Sequence, residues 1–208
     1  MSETSSEQSH VSAWNIANIL TILRIAMVPV FVWAIFQEDG QSILWRLVAV
    51  GIFALAAITD KIDGHLARSR NLVTNLGKIL DPIADKFLTG AAFISLSVLG
   101  ELWWWVTIAI LGRELIITLM RFIVIRYAVL PASRGGKLKT VLQMLAIAGM
   151  LLPLFALPAF LSWIAWALMG AALVVTVATG VDYLVTGYRV FTQGRAARKA
   201  GSSAPERD

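Results

Sequence analysis

The sequence predicts an all-α integral membrane protein with six transmembrane helices, and its composition is the first reason. Of the 208 residues, 58% are hydrophobic and 15% are charged, whereas a soluble domain has about 45–50% apolar and about 25% charged residues. The mean hydropathy is +0.73. The chain has no cysteine, which excludes disulfide scaffolds, thiolate metal sites and cysteine nucleophiles.

The second reason is the number of long apolar segments. A membrane-spanning helix needs about 20 predominantly apolar residues, and six segments meet that length. They cover residues 19–36, 43–59, 79–99, 102–125, 140–157 and 160–185. Residues 1–13 are predicted to be a disordered polar N-terminus, residues 14–191 the membrane domain, and residues 192–208 a basic, disordered tail. No internal repeat is visible, which disfavours a transporter built from duplicated halves.

The third reason is the uneven charge of the connecting loops. The turns at residues 37–42, 100–101 and 157–158 contain no Lys or Arg, whereas the other two loops are basic. These basic loops carry Lys61, Arg68, Arg70 and Lys78 after the second segment, and Arg126, Arg134, Lys137 and Lys139 after the fourth. The positive-inside rule therefore predicts that both termini and the two basic loops lie in the cytoplasm, and the membrane we expect is the bacterial cell membrane. The net charge of +5 reflects this asymmetry, and no nucleic-acid partner is expected.

Four aspartates at the edge of the predicted bilayer are the main chemical feature. Asp60 and Asp63 are three residues apart near the end of the second segment, and Asp81 and Asp85 are four apart near the start of the third. Each pair therefore lies on one helical face. A charged carboxylate at mid-bilayer costs about 2.5–3.5 kcal/mol, and four together repel one another. Oxygen ligands without cysteine predict Mg²⁺ or Mn²⁺, two ions per site, more than Ca²⁺.

Ordinary ion pairing is the alternative for these acids. In that interpretation they form interfacial salt bridges, and the available cations are Lys61, Arg68, Lys78 and Lys86. The helical spacing of both acid pairs favours the metal site. The small residues Gly64, Ala67 and Gly77 also favour it, because a phosphate ligand can approach the backbone closely there.

The motif that contains these acids resembles the signature of a known family. It reads Asp-x2-Asp-Gly-x2-Ala-Arg-x8-Gly-x3-Asp-x3-Asp over residues 60–85 and is similar to that of the CDP-alcohol phosphotransferases. The resemblance implies a six-helix membrane enzyme, usually a homodimer, with an N-terminal interfacial helix at residues 15–25 that enters the first span. The sequence over residues 112–143 resembles the subfamily that makes phosphatidylglycerophosphate and CMP from CDP-diacylglycerol and glycerol 3-phosphate.

The resemblance also implies roles for individual residues. Asp60, Asp63, Asp81 and Asp85 hold the metal ions, and Asp85 also accepts the proton of the attacking hydroxyl. The residues implied for CDP-diacylglycerol binding are Asn18, Thr21, Gly64, Arg68, Thr74 and Gly77. Interhelical hydrogen bonds are the alternative role of Asn18 and Thr21, and turn formation or packing is that of the two glycines.

The acceptor carries two negative charges, so its pocket must be basic. The candidates for acceptor-phosphate binding are Arg113, Arg121, Lys137, Lys139 and Thr140. The alternatives are membrane anchoring for the lysines and a structural bridge from Arg113 to an acid such as Asp182. Successive helical residues point about 100° apart, so we do not expect Arg113 and Glu114 to pair, although Glu114 is placed to orient one of these cations.

Three questions stay open in the sequence. Arg24 either extends its charge to the lipid headgroups or reaches the diphosphate. The acceptor is either glycerol 3-phosphate or another alcohol, such as inositol phosphate or, in a cardiolipin synthase, phosphatidylglycerol. A metal-ion transporter is the remote alternative, and it is disfavoured because its acids would be spread through the membrane depth, whereas these cluster at one edge.

Overall fold

The computed structural model describes residues 16–69, 75–124 and 134–202, and all regular structure in these ranges is helical. Side chains are described in these ranges except at residues 17, 61, 63–69, 75–82, 121–124, 134–137 and 188–202. The six α-helices are α1 (Ile16–Ile35), α2 (Ile43–Ser69), α3 (Asn75–Val98), α4 (Trp104–Val124), α5 (Arg134–Leu151) and α6 (Ala159–Ser202). Short 3-10 helices cover Gln37–Gly40 and Leu154–Ala156.

The helices belong to two compact units. The first contains the described residues up to 95 together with 151–156, and the second contains the described residues within 96–150 and 157–202. In the first unit α1 packs on α2, and the rings of Phe31 and Phe53 lie 6.2 Å apart in this contact. Apolar side chains at helical spacing are buried on both helices, so they form the core of a helical hairpin. These are Val28, Phe31, Ile35, Ala49, Phe53 and Ala56.

The turn between α1 and α2 is anchored by a buried arginine. Glu38, Asp39 and Gly40 adopt left-handed backbone conformations, with φ of 53°, 53° and 73°. Arg46, in the first turns of α2, donates from Nε to the carbonyl oxygen of Gly40 at 2.7 Å. Because a buried carbonyl without a partner is costly, this hydrogen bond stabilises the return of the chain into α2.

In the second unit α4 packs on α6. Buried apolar residues of α4, α5 and α6 form its core, and they include Val106, Ile110, Ile147, Met150, Ala165 and Met169. The hydroxyls of Ser97 and Thr107 lie 2.7 Å apart and are buried, which joins the end of α3 to the start of α4. Trp103 contacts Trp166 with ring centroids 4.9 Å apart.

A glycine at a left-handed position ends α3. Gly100 has a φ of 74°, and its N–H donates to the carbonyl of Ser97 at 3.1 Å. The N–H of Glu101 donates to the carbonyl of Leu96 at 2.9 Å. These two bonds form a Schellman cap, which satisfies helix-end carbonyls and favours glycine because a Cβ is strained there.

The described residues confirm an all-helical architecture with helices suited to a membrane. Among the described residues, three stretches are long and apolar enough to cross a membrane, at Asn18–Ile35, Ile43–Asp60 and Ala159–Gly187. Helix α4 carries Arg113 and Glu114 near its middle, and the apolar part of α5 is the shorter Leu138–Leu151. The count of six spans therefore stays a prediction, as does the division into three regions.

Two segments differ from the sequence expectation. Residues 16–24 are the first turns of α1, so in the described residues no separate interfacial helix precedes the first span. Helix α6 continues to Ser202, and residues 192–202 are therefore helical where we expected a disordered tail. The composition of this segment explains the difference, since Ala, Arg and Lys are among the strongest helix formers.

Replacing Gly100 with alanine should destabilise the protein by about 1 kcal/mol, because a left-handed backbone is unfavourable for a residue with a Cβ. Open space surrounds the glycine, so the cost is conformational. Gly51→Ala is the matched control, since Gly51 lies inside α2 with equally open surroundings. The fluorescence of the eight tryptophans reports the apparent Tm in detergent. Equal Tm values for the two variants would contradict the capping role.

Candidate active site

A buried polar stripe marks the N-terminal half of α1. Asn18, Thr21 and Arg24 follow one another at three-residue spacing, and all three are at most 2% exposed. Farther along the same helix, Val28 and Phe31 continue the buried face. The buried face of α1 therefore changes from apolar to polar toward its N-terminus. Because buried polar groups need partners, this change indicates a polar site in the first unit.

Arg24 pairs with Asp60, the first aspartate of the sequence motif. Nη1 of Arg24 lies 2.6 Å from Oδ1 of Asp60, and the Arg24 side chain is 1% exposed. The expectation that Arg24 extends its charge to the lipid headgroups is therefore wrong, because its guanidinium is buried. Asp60 is 37% exposed, so the carboxylate stays accessible while it holds the arginine.

The helices keep the spacing on which the metal prediction depends. Helix α2 is continuous through residues 60 and 63, and α3 is continuous through residues 81 and 85. Each acid pair therefore lies on one helical face. Asp85 is partly buried beside the fully buried Ala84, and its carbonyl accepts a hydrogen bond from Thr89 Oγ1 at 2.9 Å. Carboxylates in this pattern fit a hard divalent cation.

The side chains of several predicted site residues lie outside the described part of the structure. Among described residues, no group of three His, Cys, Asp or Glu side chains comes together, and two of the four motif aspartates are outside that set. The residues whose side chains lie outside the described part are Asp63, Gly64, Arg68, Gly77, Asp81, Arg121 and Lys137, and Thr74 lies outside it entirely.

The second unit contains a partly buried charge cluster made of Arg113, Glu114, Lys139 and Thr179. Arg113 donates from Nη1 to Glu114 Oε1 at 3.0 Å and from Nη2 to Thr179 Oγ1 at 3.0 Å. Nζ of Lys139 donates to the same Oε1 atom of Glu114. The charged side chains are 10–20% exposed. One carboxylate oxygen therefore binds two cations, which lie on α4 and α5.

The pairing of Arg113 with Glu114 corrects two sequence expectations. The 100° angle applies to the Cα–Cβ directions, whereas a guanidinium on a long flexible chain reaches back to the adjacent carboxylate. The bridge from Arg113 to Asp182 is also wrong, because Arg113 binds Glu114 and Thr179 instead. Asp182 is exposed and takes part in none of the ion pairs of the described residues. The expectation that Glu114 orients a cation is consistent with its two contacts.

Helix α6 supplies partners that the sequence did not predict. The Arg113 side chain crosses Gly180, where an added Cβ would lie 2.9 Å from Arg113 Cγ and 3.0 Å from Nε. The guanidinium carbon lies 5.9 Å from the ring centroid of Tyr183, within cation–π range. Gln143 Nε2 donates to Thr176 Oγ1 at 3.0 Å in the same unit. The available signal was the helical spacing of residues 176, 179, 180 and 183 within an otherwise apolar span.

The charge cluster has a net charge of +1, from two cations and one carboxylate. Cations that share one oxygen lie within about 6 Å of each other, where at an effective dielectric of 20 they repel by about 3 kcal/mol. A second anion would relieve that repulsion, so the cluster is suited to binding one. Thr140 follows Lys139 and is exposed.

Sequence relatives connect these features to a known chemistry. The chain is 52% identical over 175 residues to a probable phosphatidylglycerophosphate synthase of Mycobacterium tuberculosis, covering 84% of this chain and 82% of the relative. It is 37% identical over 149 residues to a CDP-diacylglycerol–glycerol-3-phosphate 3-phosphatidyltransferase of Bacillus subtilis, covering 67% and 77%. A rat cardiolipin synthase (CMP-forming) is 37% identical over 131 residues, covering 62% of this chain and 41% of the relative.

A sequence model described as CDP-alcohol phosphatidyltransferase matches residues 14–178. The matched segment contains the polar stripe of α1, all four motif aspartates and the charged residues Arg113, Glu114 and Lys139. Because the match covers most of the chain and most of the candidate site, the chain belongs to the CDP-alcohol phosphatidyltransferase family.

Proposed function

We propose that this protein transfers the phosphatidyl group of CDP-diacylglycerol to glycerol 3-phosphate, forming phosphatidylglycerophosphate and CMP. The observation that carries the choice of acceptor is the charge cluster, in which Arg113 and Lys139 give a partly buried net positive charge. A glycerol 3-phosphate acceptor brings a phosphate anion, for which arginine and lysine are suitable donors. The two bacterial relatives carry names for this reaction.

The four motif aspartates are the proposed ligands of two divalent cations, Mg²⁺ or Mn²⁺. Their oxygen-only donor set and their pairing on α2 and α3 support this assignment. When bound, such ions supply charge neutralisation of the diphosphate and polarisation of the phosphorus. Arg24 keeps Asp60 oriented through the ion pair at 2.6 Å. The protein's own contribution is therefore a preorganised set of carboxylates.

The polar stripe of α1 is proposed to contact the nucleotide part of the lipid substrate. Asn18 and Thr21 are buried on the helix face that also carries Arg24, and this shared face supports the assignment. Gly64, Arg68, Thr74 and Gly77 complete the proposed site from the sequence motif. In this proposal Arg68 binds the diphosphate, and the two glycines allow close approach of the ligand to the backbone.

Asp85 is proposed to accept the proton of the attacking hydroxyl. The hydroxyl oxygen of glycerol 3-phosphate forms a bond to the phosphorus that carries the diacylglycerol. The bond from that phosphorus to the CMP oxygen breaks, and CMP leaves with the electron pair. The place of Asp85 among the proposed metal ligands supports this role, because a general base must lie within hydrogen-bond reach of the hydroxyl whose proton it accepts.

The phosphate of the acceptor is proposed to bind at Arg113 and Lys139. Lys137, Arg121 and Thr140 complete the proposed acceptor pocket from the sequence pattern. The support for Arg113 is its fixation by Glu114, Thr179 and Tyr183, since a donor held in one place loses little entropy when it binds phosphate.

We further propose a six-span protein of the bacterial cytoplasmic membrane, with both termini and the active site in the cytoplasm. The charge asymmetry of the loops supports this orientation, and the family resemblance supports a homodimer. The domain division into residues 1–13, 14–191 and 192–208 belongs to the same proposal. Similarity to a cardiolipin synthase makes phosphatidylglycerol the second candidate acceptor.

A CMP-release assay tests the proposed function. Purified protein in detergent–lipid micelles, given CDP-diacylglycerol and Mg²⁺ or Mn²⁺, should release CMP when glycerol 3-phosphate is added and should stop when the metal is chelated. Parallel reactions with inositol phosphate and phosphatidylglycerol distinguish the acceptors. CMP release with either of these, but none with glycerol 3-phosphate, would refute the acceptor while leaving the family reaction in place.

Substitution Asp85→Asn should lower kcat at least about 100-fold, because the amide cannot accept the proton and is a weaker metal ligand. Binding of CDP-diacylglycerol should change much less than kcat, since the other three motif aspartates still hold the cations and the proposed nucleotide contacts of Asn18 and Thr21 are unaltered. Asp39→Asn is the matched control, because Asp39 is an exposed acid in the α1–α2 turn. Single-turnover kinetics and nucleotide protection against thermal unfolding measure the two effects. A variant with wild-type kcat would exclude the proposed role.

Substitution Gly180→Ala should raise the KM for glycerol 3-phosphate about tenfold, which corresponds to about 1.4 kcal/mol. The added Cβ would overlap the Arg113 stem and displace its guanidinium from the cluster. Gly170→Ala is the matched control on the same helix, where nothing lies within 4 Å of the added methyl. The KM for CDP-diacylglycerol should stay unchanged in both variants. Equal KM values for glycerol 3-phosphate in the two variants would contradict the proposal that the position of the Arg113 guanidinium determines acceptor binding.

A further inference from the structure

We propose that Glu114 is a positioning residue that holds Lys139 beside Arg113, so that both cations bind one phosphate group of the acceptor. This inference rests on the proposed function. The supporting geometry is the shared oxygen, since Oε1 of Glu114 accepts from Arg113 Nη1 at 3.0 Å and also from Lys139 Nζ. Two donors on one oxygen are close enough together to reach adjacent oxygens of a single phosphate.

Arg113 does not depend on Glu114 alone. Its second terminal nitrogen donates to Thr179, its stem crosses Gly180, and its guanidinium faces Tyr183. All three of these contacts come from α6. They should therefore hold the guanidinium against α6 when the Glu114 carboxylate is absent.

Lys139 has a different kind of side chain. Its ammonium is a compact charge on a flexible four-carbon stem, and the side chain is 10% exposed. Without the Glu114 charge, the nearby Arg113 guanidinium repels this ammonium. We therefore expect Lys139 to move away from the cluster in a Glu114 variant, and the phosphate then loses one of its two donors.

The direction in which the KM for glycerol 3-phosphate changes when the Glu114 charge is removed distinguishes a positioning role from plain repulsion of the phosphate by the carboxylate. If Glu114 only opposed the incoming anion, removing its charge would strengthen phosphate binding and lower the KM for glycerol 3-phosphate. If it positions Lys139, removing its charge weakens phosphate binding and raises that KM. Each terminal nitrogen of Arg113 has two N–H groups, and the bonds to Glu114 and Thr179 use one on each nitrogen, so the arginine retains donor capacity while it holds Glu114.

The experiment compares Glu114→Gln, Lys139→Met and the double variant in the CMP-release assay. Glu114→Gln should raise the KM for glycerol 3-phosphate about tenfold and leave the KM for CDP-diacylglycerol within about twofold. The double variant should be no worse than Lys139→Met, because Glu114 acts through Lys139. Glu114→Asp keeps the charge on a shorter side chain and should show a smaller rise. Glu101→Gln removes an acid elsewhere in the same unit and should match the wild type.

A second readout does not depend on turnover. Glycerol 3-phosphate should raise the apparent Tm of the wild type, as a ligand of the folded state does, and Glu114→Gln should lose most of that shift. A lower KM in Glu114→Gln, additive effects in the double variant, or equal losses for both substrates would overturn the inference. If the wild type releases no CMP with glycerol 3-phosphate, the proposed function fails, and the Tm comparison still decides whether Glu114 organises a phosphate site.

Discussion

Charge burial in an apolar helical protein is the constraint on which the described structure depends. A guanidinium that is 1% exposed needs polar or charged partners that compensate its burial, and Asp60 is such a partner for Arg24 at 2.6 Å. The same requirement joins Arg113 and Lys139 to Glu114. Each pairing connects residues of different helices, apart from the neighbours Arg113 and Glu114. The polar contacts therefore help to determine which helix faces meet.

In each unit, the helices that pack through apolar side chains are consequently also joined by ion pairs or hydrogen bonds. Packing of α1 on α2 buries Phe31 against Phe53, and the same two helices carry Arg24 and Asp60. Packing of α4 on α6 buries apolar side chains, and it also brings Thr179 to Arg113. Shifting either helix pair along its axis would break an apolar contact and an ion pair or hydrogen bond at once. The positions of the polar groups therefore depend on the same helix packing as the core.

The sequence predicted what depends on periodicity and missed what depends on contacts between helices. The helices and the one-face placement of each aspartate pair follow from apolar length and spacing. The partner of Arg24 could not be predicted, because it requires the register of α1 against α2. Thr179 and Gly180 were missed because small residues in an apolar span also suit lipid or ordinary packing. The Arg113–Glu114 pair was missed because helical angles describe Cβ directions, whereas long side chains bend.

The two polar clusters show the same arrangement with opposite signs. In the acidic motif proposed to bind cations, Asp60 is paired with the buried cation Arg24. In the cationic cluster proposed to bind a phosphate, Lys139 is paired with the anion Glu114. A site that gathers like charges in a low dielectric is unstable by itself, since the charges repel when no ligand is bound. A fixed side chain with the same charge sign as the ligand, Arg24 at the cation site and Glu114 at the phosphate site, offsets part of that repulsion before the ligand binds. The cost is a weaker net attraction, and the benefit is a site that keeps its geometry without its ligand.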